Sequence, residues 1–340
     1  MTYQASLIIV NYKTARHVAA NLRHLNDSIP PEMESEVNLE FIVVDNTPQG
    51  DALESVEKIP RTKIERNPEN FGYSRGCNLG AKSAQYPHLL FLNPDLRIDW
   101  ENLRLLLDAV RTPEAPDILT IPQYSESAKL QRCHTRFTTS QTLSPIRRSL
   151  QRTFRPKTYP NPRTPPHTLP PLIPVDWVTG SFVSISLGNF NRIGGWNEDF
   201  FLYHEDEELC RRAKRNGLTV GMFTRARATH SHASSTRIDR STLIRAKSEL
   251  LISKHHYLSG YEEGGIQSRL CCKLRARTYR KRRLTKLLNA LTGGKLSKLS
   301  VKTEIYALAG QKFEEAEKSG HSMSSHSINH PNAQRPSGRG

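Results

Sequence analysis

Three apolar runs constrain this chain most: SLIIV (Ser6–Val10), FIVVDN (Phe41–Asn46) and HLLFLNPD (His88–Asp95), the last two ending in polar residues. Continuous rather than alternating apolar residues predict parallel strands covered on both faces. Helical patterns lie between them. Thr14 can cap a helix whose Val18, Leu22 and Leu25 share one face, Lys63–Arg66 makes a short further strand, and Tyr73–Ala84 reads as a helix. The alternation predicts an α/β fold with polar residues gathered past the strand ends, where open sheets bind ligands. A nucleotide suits such a place. Neither G-x-G-x-x-G nor G-x-x-x-x-G-K-[ST] occurs, which argues against a dinucleotide dehydrogenase or a P-loop NTPase.

With 340 residues and 36% hydrophobic content, the chain can bury one substantial core and still carry appendages. Residues 125–174 are rich in Arg, Ser, Thr and Pro, with eight prolines from Pro156 to Pro174, and predict a long excursion or lid loop. Order resumes at Val175–Ser186. The clearest helix follows: Glu205, Asp206, Glu207 and Glu208 crowd its first turn, Arg211, Arg212, Lys214 and Arg215 its last, and Gly217 stops it. A strand at Thr219–Phe223, a helix at Ser241–Tyr257, a basic helical extension over 261–317 and a disordered tail over 318–340 complete the expectation.

The formal charge of +16 calls for an anionic partner, whether nucleotide diphosphate, acidic lipid or nucleic acid. Five cysteines without a C-x-x-C pair suggest neither a zinc site nor a disulfide framework, and a reducing cytoplasm fits them. The opening apolar run is too short for a signal peptide, and no stretch of roughly 20 apolar residues is present to span a bilayer.

Taken singly, the polar candidates have two readings each. Asp45 can be a ligand or a turn residue; Asn70 and Gly72 can be binding or turn chemistry; Asn93 and Asp95 flank a proline that can simply make a β-turn. The acidic quartet can serve catalysis or the helix dipole, and His230 and His232 can be ligands or ordinary surface or core histidines.

Their order narrows the choice. SLIIVNY, VVDN, N-x-G-x-x-x-G-x-N-x-G, FLNPD, TGSF, GGWNEDFFLYHEDEELCRR and THSHASST, running over about residues 5 to 237, together resemble the inverting family 2 glycosyltransferases, on their rhamnosyltransferase-like side. The resemblance implies a GT-A type fold with a nucleotide-sugar-binding half over 1–124 and an acceptor-binding and catalytic half over 175–260. By the same resemblance the donor is held by Asn11, Asp45, Asn70, Gly72, Arg75, Asn78 and Asn93. Asp95, in an N-x-D version of the metal motif, and His230, with His232 its competitor, would hold Mg²⁺ or Mn²⁺. Asp206 would be the general base, with Glu205 orienting the acceptor or acting in its place. Trp177, Gly180, Trp196 and Glu198 would line the acceptor side, although a core role suits each tryptophan equally. Two departures stand out: Asn197 replaces the usual aspartate of G-G-F-D-E, and His232 and Ala233 replace a glycine pair.

The implied reaction moves a sugar, L-rhamnose from dTDP-rhamnose first among the candidates, to a glycan or lipid-linked acceptor hydroxyl. In Arg269–Lys286 nine of eighteen residues are basic and none acidic, which with Leu270, Leu274, Leu284, Leu287 and Leu288 predicts a helix lying on an anionic membrane surface. A cytoplasmic protein, peripheral at the inner face of the plasma membrane, is expected. The rival readings are an inactive nucleotide-sugar-binding protein and a basic nucleic-acid-binding α/β protein. The second is disfavoured because Tyr279 alone interleaves the basic run.

Overall fold

The computed structural model describes residues 2–48, 50–138, 163–231, 239–260, 266–293 and 296–319. His232, residues 139–162 of the proline-rich excursion and the tail from 320 onward lie outside them. Two compact units divide the chain: Met1–Asn197 with Glu205–Ser235, and Glu198–His204 with Thr236–Gly340. The second therefore takes in the helix after Thr236 that the sequence groups with the catalytic half, because that helix packs with the two helices following it.

In the first unit, β1 (Tyr3–Asn11), α1 (Ala15–Asp27), β2 (Val37–Asp45), α2 (Glu54–Glu57), β3 (Thr62–Arg66), α3 (Tyr73–Lys82) and β4 (His88–Leu92) alternate as the apolar runs predict. Next come β5 (Leu96–Arg97), α4 (Trp100–Ala109), β6 (Ile118–Thr120), β7 (Gln123–Tyr124), β8 (His134–Thr135), β9 (Leu172–Pro174), β10 (Trp177–Val178) and β11 (Phe182–Ser186). Finally α5 (Leu187–Arg192), α6 (Glu205–Arg215), β12 (Val220–Phe223) and β13 (Ala228–His230) complete the unit.

Eight strands form one sheet in the order β3-β2-β1-β4-β11-β6-β12-β9. Pairing is parallel from β3 through β4 and between β6 and β12, and antiparallel at β4/β11, β11/β6 and β12/β9. Alternate residues explain why the strands read as unbroken apolar runs. Leu7, Ile9, Phe41, Val43, Leu90 and Leu92 enter the core on one face, and Ile8, Val10, Ile42, Val44, Leu89 and Phe91 the core on the other. At about 1.5–3 kcal/mol for each large side chain fully buried, both faces contribute substantially to stability.

Helix α3 is seated by glycine. A Cβ at Gly76 would fall 2.9 Å from Val10, and one at Gly80 2.5 Å from Ile8. The N-x-G-x-x-x-G-x-N-x-G spacing is thus a backbone-on-strand packing stripe for its last two glycines. Gly72, with φ +89°, makes the entry turn that L side chains avoid.

Two small sheets sit at the strand ends. β13 pairs with β5, His230 opposite Leu96, and with β7, Ala228 opposite Gln123. β10 pairs with β8, Trp177 opposite Thr135.

The second unit holds α7 (Arg240–Gly260), α8 (Ile266–Leu291) and α9 (Ser297–Ser319). Asp239 caps α7 by accepting from Thr242 N at 2.8 Å, and Ile252, Ala309 and Phe313 form a small core. Segment Glu198–His204 docks on α7: Ser253 Oγ donates to Leu202 O at 2.8 Å, and Phe200 packs on His256 with ring centroids 4.8 Å apart. Among the described residues no helix is long and apolar enough to cross a membrane.

Candidate active site

The ends of β1 and β2 are neighbours in register, Asn11 beside Asp45. Asn11, fully buried, donates from Nδ2 to Asp45 (3.0 Å) and Asp51 (3.2 Å), while its Oδ1 accepts from Thr14 N (3.1 Å) and Oγ1 (2.7 Å). Every hydrogen-bonding position of that amide is taken, so Asn11 shapes the site from beneath. Thr14 is occupied likewise; its hydroxyl does not cap α1, and Asp51 accepts from Ala15 N (2.9 Å) instead. Asp45 also accepts from Thr47 N (3.0 Å) and stands 3.6 Å from Arg66 Nη1. Asp45 therefore turns the chain past the carboxyl end of β2 into loop 46–51, as the turn reading expects.

Beside that loop, Asn46 donates to Gly72 O (2.9 Å), and Asn70 accepts from Gly72 N (3.0 Å), fixing the start of α3. The exposed Arg75 guanidinium lies 4.1 Å from the centre of the Phe71 ring. Asn78 is placed otherwise than expected. Its Nδ2 donates to Trp196 O and its Oδ1 accepts from Trp196 N, both at 2.9 Å, a reciprocal clamp on the glycine turn ahead of Trp196.

Asp95 and His230 come together from sequence positions far apart. The imidazole Nε2 lies 3.2 Å from Asp95 Oδ1, and both residues are buried. Gln123 Oε1 faces His230 Nδ1 at 2.9 Å and orients the ring, with Nε2 turned toward Asp95. An oxygen and an imidazole nitrogen side by side, with the ring oriented from behind, fit a divalent cation completed by phosphate oxygens and water. Among the described residues no third His, Cys, Asp or Glu joins them.

The T-G-S segment connects this pair to the acidic helix. Ser181 Oγ donates to Gln123 Oε1 (2.9 Å), and Asn93 N donates to Ser181 O (3.0 Å). Gly180 N donates to Asp206 Oδ2 (2.9 Å), while Tyr73 Oη, from the first turn of α3, donates to Gly180 O (2.7 Å). Gly180 thus joins α3 to the helix bearing the carboxylates.

The four acids of α6 divide their work. Glu205 is buried, and Oε2 has no hydrogen-bond partner among the described residues. Burial first, and the adjacent Asp206 charge second, push the Glu205 carboxyl well above the usual range. Asp206 is only half-buried and reachable from solvent. Glu207 accepts from the backbone and hydroxyl of Thr138, anchoring the excursion at that point. Glu208 holds Arg212, which donates in turn to the carbonyls of Ile193 and Gly195. The two residues before Glu205, Tyr203 (φ 72°) and His204 (φ 65°), are both left-handed, at a cost of about 1–2 kcal/mol each.

Of the two readings open for Trp196, the core reading holds and the acceptor-side one is corrected. Trp196, 1% exposed, lies edge-on to Tyr73 and Phe91 at 5.6 and 5.3 Å, so the core claims its faces and none is open to a sugar. Trp177 is half-buried and donates from Nε1 to Arg136 O (2.9 Å). Glu198 belongs to the second unit. Gln123, Tyr73 and Asp51 are missing from the expected set; QY after a short strand, the first residue of a helix and an aspartate in a turn carry no distinguishing local pattern.

The Glycosyl transferase family 2 pattern matches residues 6–170. The chain is 29% identical over 245 residues to the low-salt glycan biosynthesis hexosyltransferase Agl10 of Haloferax volcanii, covering 69% of this chain and 70% of that protein. It is 24% identical over 272 residues to an N-acetylglucosaminyl-diphospho-decaprenol L-rhamnosyltransferase of Mycobacterium tuberculosis, covering 72% and 82% respectively. The mannosyltransferase PcManGT of Pyrobaculum calidifontis, solved with GDP-Man and Mn²⁺, aligns at 12% identity with a TM-score of 0.48, covering 94% of this chain and 88% of that one. The chain carries a Glycosyl transferase family 2 domain over residues 6–170 and is a glycosyltransferase.

Proposed function

We propose that the chain transfers a hexose from a nucleotide-sugar donor to a hydroxyl of a glycan or lipid-linked acceptor, with inversion and with help from a divalent cation. One observation carries the reading: Gly180 and Ser181 tie Asp206 on one side to the Gln123–His230–Asp95 chain on the other. A base and a cation site held by two adjacent residues suit an in-line displacement, in which one end of the reaction loses a proton and the other gains a diphosphate charge.

Loop 46–51, shaped by Asn11 and Asp45, receives the base and ribose. Asn70, Gly72 and Arg75 follow the diphosphate, where backbone amides and a guanidinium match anionic oxygens. Asp95 and His230, with Asn93 beside them, would hold the cation, which would supply neutralising charge for the leaving nucleoside diphosphate. Asp206 takes the acceptor proton as the hydroxyl oxygen bonds to the anomeric carbon and the bond to the diphosphate oxygen breaks. Its access to solvent favours it over Glu205, which is sealed beneath Gly180 and is better suited to orienting its neighbour. Trp177 and Gly180 border the acceptor side. L-Rhamnose from dTDP-rhamnose is the first donor to try, given a relative named for rhamnosyl transfer. Polysaccharide synthesis at the inner face of the plasma membrane, with residues 269–288 toward anionic lipid, completes the reading.

Donor hydrolysis across a panel of nucleotide sugars, with Mg²⁺ or Mn²⁺ and with EDTA, tests it. Slow cation-dependent hydrolysis of one donor is expected. Nucleotide-sugar binding without hydrolysis or transfer under any condition would make the chain a binding protein instead.

A further inference from the structure

Of the six large apolar side chains left exposed among the described residues, five crowd the place where α8 passes into α9: Leu284 (53% exposed), Leu287 (58%), Leu288 (40%), Leu291 (74%) and Leu296 (54%). The first four follow i, i+3, i+4, i+7 and share one face of α8. Leu288, Leu296 and Leu299, with Thr292 and Lys302, also line an open cavity of about 530 Å³ between the two helices. A contiguous apolar surface of this kind marks an interaction site.

The rest of α8 is differently placed. Cys271 and Thr278 are buried, Leu274 is half-buried, Tyr279 packs on Gly310, and Lys281 Nζ reaches Tyr306 Oη at 3.1 Å. The middle of the basic run therefore serves the helical bundle, and its last two turns carry the bare leucines. A helix lying flat along residues 269–288 does not fit this division.

Charge selects the occupant. No acidic residue occurs from Gly264 to Thr303, and the exposed Arg280, Arg283, Lys286, Lys298 and Lys302 surround the leucines. A second copy of the chain would set these cations against their own kind. The five exposed apolar side chains are all leucine, without the aromatic anchors that dominate protein recognition, so the patch suits a partner that demands no directional contact. Leucines edged by Lys and Arg match the boundary between acyl chains and anionic headgroups.

We propose that the α8–α9 turn inserts Leu284, Leu287, Leu288, Leu291 and Leu296 into the acyl boundary of an anionic bilayer while Arg283, Lys286, Lys298 and Lys302 engage headgroups. This rests on the reading of the basic C-terminal segment as membrane-facing, moves the contact from the whole of residues 269–288 to the α8–α9 turn, deepens it from surface attraction to insertion, and holds whichever sugar is transferred.

The test is sedimentation of the full chain with vesicles of phosphatidylcholine alone or mixed with phosphatidylglycerol. Binding to the mixed vesicles is expected, and the combined Leu287→Ser, Leu291→Ser and Leu296→Ser variant should lose at least roughly tenfold in partitioning, with unchanged hydrolysis of soluble donor. Leu291→Trp should show blue-shifted emission on binding and quenching by brominated acyl chains. A serine variant that binds as well as the parent, still salt-sensitively, would overturn insertion and leave surface attraction standing. Failure of the parent to bind either vesicle would overturn both. Self-association of the parent that the serine variant abolishes would assign the patch to a second copy and overturn the proposal.

Discussion

The backbone N–H of Gly180 holds Asp206 Oδ2 at 2.9 Å, fixing the half-buried carboxylate with a bond that asks only for an acceptor oxygen. An amide can supply that oxygen but not also the one that Glu207 N reaches at 2.8 Å, so Asp206→Asn should keep the fold and its donor affinity with a slightly lowered thermal midpoint. As a base it should fail, and turnover should drop by about two or more orders of magnitude. Steady-state kinetics beside a donor-binding isotherm check this; full activity would move the base elsewhere.

The Asp95–His230 pair predicts how cation dependence responds to change. Asp95→Asn should raise the Mg²⁺ or Mn²⁺ concentration for half-maximal activity by at least about tenfold, and Gln123→Leu, which leaves both ligands but removes the partner of His230 Nδ1, should raise it by about 10- to 100-fold. Cation titrations of the three proteins give the answer. An unchanged requirement in Asp95→Asn would remove the pair from cation binding.

Gly80→Ala sets two effects against each other. Alanine is favoured over glycine inside a helix by about 1 kcal/mol. The new Cβ would meet Ile8 Cγ2 at 2.5 Å, however, and overpacking costs typically about 1–3 kcal/mol. The contact should prevail, giving a net loss of stability in urea unfolding.

Glu249 makes folding sensitive to pH. Burial in α7 pushes its carboxyl from 4.5 up to about 8, against the opposing pull of Arg245 and Lys312. In the unfolded chain it ionises near its ordinary value, so its effect favours folding in acid and is lost as pH rises from about 4.5 to about 8. Glu249→Gln should therefore gain thermal stability over the parent progressively across that window. Melting curves at several pH values, showing a gap that widens and then levels, are the expected result.

The sheet was legible because strands covered on both faces leave unbroken apolar runs, and the acidic helix because its charges follow the dipole. The pairing of Asp95 with His230 was reached through motif order; nothing near either residue announces the other, since a three-stranded sheet built from Leu96–Arg97, Gln123–Tyr124 and Ala228–His230 brings them together. Gln123 escaped notice for that reason. Trp196 and Asn78 point the other way: a tryptophan and an asparagine inside a recognised motif invite a ligand, yet they are bound to each other in the interior. Composition located the basic segment, but only helix packing reveals which of its leucines are bare.

Helix α3 contributes no side chain at Gly76 and Gly80, where its backbone rests directly on the Val10 and Ile8 side chains of β1. On the helix side such a wall has nothing to repack, so it cannot be retuned by trading one apolar helix residue for another. On the proposed reading, a change of donor preference would be written in the stretch leading into the helix, around residues 67–75, where replacements alter the loop without lifting the helix from its strand.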